Sequence, residues 1–269
     1  MHHQRRALFL SHGAGPLPLL GDDAHADMVA CLKEIAAMIA RPSAIIVVSA
    51  HWEAGNATVT SGANPGLIYD YSGFPPESYE ITYPCPGSPR LASSITRQLE
   101  TAGINVMADS TRGFDHGLFV PLKIMYPEAD IPCVQLSLIK SFDPLAHIKL
   151  GRALQGLNDP SVLLIGSGFS FHNMRAFFTP ATVDSKNANK SFEHWLVDTC
   201  SNKNISEEER TKRLVNWEAV PSARYCHPRE EHLLPLLVCY GFAASACTKS
   251  FELQILNKES SMYLWNHES

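Results

Sequence analysis

Residues Ala44–Trp52 read AIIVVSAHW, an unbroken apolar run that closes on a serine, an alanine and a histidine. Apolar runs of this length suit strands buried on both faces of a sheet, the environment of a parallel α/β centre. Two other segments repeat the pattern: LFLSHG at Leu8–Gly13 and VLLIGSGFSFHN at Val162–Asn173. Strands are therefore predicted at Ala7–Leu10, Ala44–Val48 and Val162–Ile165.

Between and beyond them the periodicity changes. Met28, Leu32, Ile35 and Ile39 recur at helical spacing, which predicts an amphipathic helix over Ala24–Ala40. Leu91, Ile95 and Leu99 repeat that spacing behind Ser88, a good N-cap, and Pro89 at the first helical position. Leu145–Leu157 and Phe192–Cys200 are further helical segments. Val134, Leu136 and Leu138 alternate with Gln135 and Ser137, as a half-exposed strand would. Phe251, Leu253 and Ile255 alternate too, and Met262–Trp265 is placed to pair with them as a hairpin. Strand and helix in alternation give one α/β domain over residues 1–269, with a largely parallel central sheet flanked by helices. Asn64–Pro89, rich in Pro, Gly and Tyr, reads as a long functional loop, and Asp184–Arg213 as a polar surface excursion around helices.

Composition narrows the function. The 269 residues are 45% hydrophobic and 18% charged with a net charge of -5, so the chain is globular and lacks a basic footprint for nucleic acid. The opening MHHQRRALFL has too short an apolar stretch for a secretory signal, and no segment nears the roughly 18 apolar residues that cross a bilayer. Seven cysteines form no CxxC pair, which predicts reduced thiols in a cytoplasmic protein.

Four histidines carry the chemistry. His12, His51 and His172 each follow a predicted strand, where α/β proteins place their ligands, and His232 lies near the start of a helix expected from about Glu231. A lone histidine in such a place is ordinarily a hydrogen-bonded structural residue; three after strands of one sheet point to a transition-metal site. A helix amino terminus disfavours protonated imidazole and would keep His232 neutral. His116, in RGFDHGLFVPL, reads equally as a loop-fixing residue or as an active-site hydrogen-bond donor. His2, His3, His25, His147, His194 and His267 stand in polar or terminal contexts and are expected at the surface. Neither HExxH, GxSxG, a full GxGxxG nor a Walker loop occurs, which argues against zincin, serine-hydrolase and nucleotide chemistry.

The chain resembles the class III extradiol ring-cleaving dioxygenases, specifically the 4,5-DOPA dioxygenase group of the LigB-like superfamily. The resemblance rests on LFLSHG, RPSAIIVVSAHW (Arg41–Trp52), IYDYSGFPPESYEITYPCPGSP (Ile68–Pro89), GFDHGLFVPLKIMYPEADIPCVQLSL (Gly113–Leu138), GSGFSFHN (Gly166–Asn173) and EHLLPLL (Glu231–Leu237), in family order. It implies that His12, His51 and His232 bind the metal, and that His172 is an acid/base or an additional ligand. It implies that His116 lines the substrate pocket. Related enzymes use a glutamate as third ligand, so the choice between Glu231 and His232 stays open. The departures are SHGAGPLP after the first strand and a divergent stretch at 174–225, which bears on substrate access or choice.

The implied activity is opening of a catechol ring with O2 to a muconic semialdehyde. Fe(II) would support it, whereas Zn(II) fits the same nitrogen ligands without redox change. Two other readings use the same histidines: a zinc-dependent hydrolase and a non-catalytic, Memo-like metal-binding module.

Overall fold

The three apolar runs form the centre of one sheet in a computed structural model that describes residues 5–157 and 159–266. Its strands are β1 (Arg6–Ser11), β2 (Ala44–Ala54), β3 (Ala57–Thr60), β4 (Val106–Asp109), β5 (Cys133–Ile139), β6 (Val162–Gly168), β7 (Lys249–Ile255) and β8 (Lys258–Trp265). They lie in the order β4-β3-β5-β2-β6-β1-β8-β7. The central pairs β5/β2, β2/β6 and β6/β1 are parallel, while β8 and β7 add an antiparallel edge. All six residues of β1 and all seven of β6 are buried, as strands covered on both faces must be.

The helices are α1 (Ala26–Met38), α2 (Pro89–Thr101), α3 (His116–Met125), α4 (Pro144–Leu154), α5 (Met174–Phe177), α6 (Val183–Ser201), α7 (Glu207–Val215), α8 (Ala223–Cys226) and α9 (Leu234–Ala243). Ser88 caps α2 as expected, accepting from Leu91 N at 3.3 Å. Helix α1 turns Met28, Leu32 and Ile35 into the core, the face that its spacing marks. Fully burying such a side chain contributes roughly 1.5–3 kcal/mol. Among the described residues no helix is long and apolar enough to cross a membrane.

Four expectations need correction. Strand β5 is not half-exposed, because Gln135 and Ser137 are as buried as their apolar neighbours. Gln135 serves Asp115, and Ser137 Oγ accepts from Thr58 N at 3.0 Å, so the polar alternation marks internal hydrogen bonds. His25 and His147 are buried, not superficial. His25 accepts from Ala14 N and bonds Asp22, and His147 bridges Asp143 O and Ile139 N, so local partners replace solvent for both rings. Helix α9 begins at Leu234, leaving Glu231 and His232 in the preceding turn. Strand β2 outruns its apolar core, so His51 lies within it. His194 is exposed as expected, and His2, His3 and His267 lie outside the described residues.

The Pro- and Tyr-rich loop is ordered by its own hydroxyls. Tyr69 donates to Ile81 O at 2.7 Å, Tyr71 to Ser78 O at 2.6 Å and Tyr83 to Tyr126 O at 3.0 Å. The stretch expected as a polar excursion is built from α6 and α7.

Candidate metal centre

Strand ends deliver two of the five imidazoles, His12 and His172. His12 follows β1 directly, His172 follows β6 by four residues, and β6 lies between β1 and β2. In β2 the register against β5 shifts between Val48 and Glu53, and this irregular stretch carries His51. His116 opens α3, and His232 sits in the turn before α9.

The five rings converge. Centroids of His12 and His51 are 4.8 Å apart, and His232 lies 5.2 and 5.1 Å from them. His116 is 4.0 Å from His51 and 5.2 Å from His12. His172 stacks on His232 at 3.4 Å. Candidate ligand atoms fall into two sets, each within 4.8 Å of one another: His12, His51 and His116, and His172, Glu231 and His232. The geometry therefore gathers every singled-out histidine, yet groups His116 with the first two more tightly than the resemblance implies.

Each ring turns Nδ1 to a protein oxygen. Ser167 Oγ donates its one proton to Gly117 O, so the contact of 2.9 Å from His12 Nδ1 is an N–H donated to that hydroxyl. Asp70 takes His116 Nδ1 at 2.8 Å and faces His51 Nδ1 at 3.5 Å. Glu231 Oε1 takes His232 Nδ1 at 2.9 Å and His172 Nδ1 at 3.1 Å. With the proton on Nδ1, the neutral ring offers its Nε2 lone pair, the tautomer that metal-bound histidines adopt.

Electrostatics agree. Burial, reinforced by neighbouring imidazoles, holds His12 and His51 well below the ordinary histidine range. Burial and then His172 push His232 down to about 3. Burial opposes ionisation of Glu231, but hydrogen bonds from His172 and His232 prevail and hold its carboxyl well below the usual range. Asp70 is likewise lowered, its burial outweighed by His116. At neutral pH His12, His51 and His232 thus present uncharged nitrogens, with the carboxylates of Asp70 and Glu231 behind the cluster.

The donor set fits a transition metal. His12 Nε2 and His51 Nε2 lie 3.0 Å apart. Two nitrogens bound at about 2.1 Å and near a right angle to one ion would show that separation. Without an ion the same contact is a hydrogen bond from one ring to the other; with both protons on Nδ1 the two lone pairs would instead point at one cation. The backbone permits the packing only through glycine: a Cβ on Gly168 would lie 2.1 Å from His232 O, and one on Gly117 would lie 2.4 Å from Ser49 Oγ.

Beside the rings opens a cavity of about 410 Å³, walled by Tyr71 and Phe74 from the aromatic loop and by Phe169, Phe177 and Phe178. Sequence reasoning missed Asp70, Ser167 and the double role of Glu231. An acid between two tyrosines, in the Tyr69-Asp70-Tyr71 run of that loop, was the available signal for Asp70. Ser167 sits in the Gly-Ser-Gly segment that invites comparison with a hydrolase elbow, and it anchors His12 instead.

The sequence model of the catalytic LigB subunit of aromatic ring-opening dioxygenase matches residues 6–263. The chain is 39% identical over 251 residues to dioxygenase tasH of Hapsidospora irregularis, covering 87% of this chain and 76% of that protein. It is 37% identical over 244 residues to the 4,5-DOPA dioxygenase extradiol of Beta vulgaris, covering 89% and 87%. The Escherichia coli K12 protein of that name is 36% identical over 236 residues, covering 87% and 84%. A crystal structure of an uncharacterized protein from Escherichia coli K12 superposes with a TM-score of 0.75 at 30% identity, covering 97% of this chain and 99% of that one.

Proposed function

Because the chain belongs to the LigB family of aromatic ring-opening dioxygenases, and is on that ground an oxygenase, we propose that it is an extradiol dioxygenase that opens a catechol with O2. The product of that reading is a muconic semialdehyde, and DOPA-like catechols are the substrates that the relatives' names suggest. The whole chain serves as one catalytic domain, its partners being the small substrate and O2, with no part for nucleic acid or membrane. A cytoplasmic setting accords with seven free cysteines, six of them buried.

In this reading His12, His51 and His232 hold the metal, and His172 is its acid/base or a further ligand. The observation that carries it is the convergence of five imidazoles whose Nδ1 atoms face Ser167, Asp70 or Glu231. Fe(II) bound there supplies the one-electron steps that triplet dioxygen needs to attack a closed-shell ring; Zn(II) would fit the same nitrogens without that capacity. His172 takes a catechol proton at Nε2 while Glu231 steadies its Nδ1–H, and returns it later in the cycle. General acid–base help of this kind is typically worth about 10²–10⁴-fold. His116, fixed by Asp70, hydrogen-bonds a substrate oxygen. The aromatic wall excludes water from the ring.

Anaerobic loading with Fe(II), then admission of oxygen with a panel of catechols, tests the proposal. Stoichiometric oxygen uptake and a yellow ring-opened product are expected. Hydrolysis without oxygen consumption would favour a zinc-dependent hydrolase, and metal binding with no turnover a non-catalytic module.

A further inference from the structure

The cavity is lined by imidazoles at one end and by apolar side chains at the other. Beyond the imidazoles its wall includes Leu17, Tyr71, Phe74, Met174, Phe178 and Leu256. Among the described residues that line it there is no lysine, arginine, aspartate or glutamate. Asp70 and Glu231 stand behind the rings they anchor, and the Tyr71 hydroxyl is spent on Ser78 O. Ser72 is the remaining side-chain hydroxyl. The rim continues the apolar wall into solvent: Phe178 is 81% exposed and Met174 54%. Large apolar side chains left open beside a cavity mark a surface that something apolar covers.

Leu256 adds an independent sign. It has φ 52° and its neighbour Asn257 φ 59°, so the pair forms the two-residue turn between β7 and β8, where Ile255 pairs with Lys258. Such turns favour Asn-Gly, because left-handed backbone strains a branched side chain. The strained leucine stands where its side chain forms part of the cavity wall, and its N–H is held by Ala24 O at 3.1 Å. Local strain kept at a ligand wall is a pointer to function.

Size sets the rest. A cavity of roughly 150 Å³ accommodates a benzene ring. The 410 Å³ present here leaves space for a substituent at least as large as that ring. A free carboxylate or ammonium on that substituent would lose hydration and meet no counter-charge.

Resting on the dioxygenase reading, we infer that the substrate is an electrically neutral catechol bearing a bulky apolar substituent, which lies against Phe74, Phe178 and Leu256. A catechol with an amino-acid or carboxylate side chain fits this wall poorly.

Anaerobic calorimetry on the Fe(II)-loaded full chain tests the inference, with 4-phenylcatechol, unsubstituted catechol, L-DOPA and 3,4-dihydroxyphenylacetate as probes. The phenyl compound should bind at least about tenfold more tightly than either charged probe. Equal or tighter binding of a charged probe overturns the inference, as does failure of every catechol to bind. Oxygen is then admitted to the same samples: binding in the expected order without ring opening sinks the dioxygenase reading and leaves the ligand class standing. In Leu256→Asn the thermal midpoint should hold or rise, while selectivity for phenylcatechol over catechol falls about tenfold. An unchanged ratio removes Leu256 from the wall.

Discussion

His12 and His51 face each other with their Nε2 atoms 3.0 Å apart, although 39 residues separate them in the chain. The His12 ring is buried and the His51 ring half-buried, and both are held neutral by burial and neighbouring imidazoles. Either ring replaced by alanine leaves one lone pair where an ion needs two. His12→Ala and His51→Ala should therefore retain less than about a tenth of the wild-type metal after dialysis, measured per chain by elemental analysis. His116→Ala should keep most of it if His232 completes the set; loss equal to that of His51→Ala would instead assign the third position to His116.

His172 stacks on His232 and shares Glu231 with it, yet its side chain remains partly open to the cavity. His172→Ala should keep the metal and lose turnover by about 10²–10⁴-fold. Metal content and oxygen uptake on one preparation measure both. Ordinary ring cleavage by this variant removes His172 from the proton-transfer role.

Ser167 ties His12 to Gly117 through one hydroxyl. In Ser167→Ala the His12 ring loses the oxygen that orients it, while the β6 backbone is unchanged. Loss of such an outer partner typically costs about 10–100-fold in metal affinity. Competition against a chelator should report that loss, and Ser167→Thr, which keeps the hydroxyl, should recover part of it. Equal affinity in all three proteins would show that the hydroxyl does not orient the ring.

Glu193 on α6 is buried with its Oε2 accepting from Ser261 Oγ at 2.6 Å. Burial outweighs the hydrogen bonds from Ser261 and Ser170 and pushes its carboxyl up to about 8, against an ordinary 4.5. Below about 4.5 folded and unfolded chains both hold this proton. As pH rises towards about 8 the unfolded chain has released it and the folded chain has not, so stability falls, by up to about 1.4 kcal/mol per pH unit. Above about 8 the penalty is complete. Thermal midpoints across this window should fall less steeply for Glu193→Gln than for the wild type, and parallel curves would place the ionisation elsewhere.

Much of the fold was legible because burial on both faces leaves a local trace. The apolar runs of β1, β2 and β6 and the helical spacing of α1 and α2 needed no knowledge of neighbours. His12 and His172 were legible for the same reason, since a strand's end is a position in sequence before it is a position in space. Where tertiary partners replaced water, the local signal misled: Gln135 and Ser137 looked solvent-facing, and His25 and His147 looked superficial. Helix α9 was placed three residues early, because Pro235 is accommodated in its first turn as readily as near it.

By itself, then, the order of residues determined the alternation of strands and helices and which histidines end near the carboxyl edge of the sheet. Only the folded chain decided that Asp70 reaches across to His51 and His116, that Ser167 orients His12, and that Glu231 serves two rings at once. Periodicity follows from backbone geometry within one segment. Which nitrogen of an imidazole carries a proton is set by an oxygen up to 155 residues away, and that pairing exists only once register, crossover and turn have brought the two together.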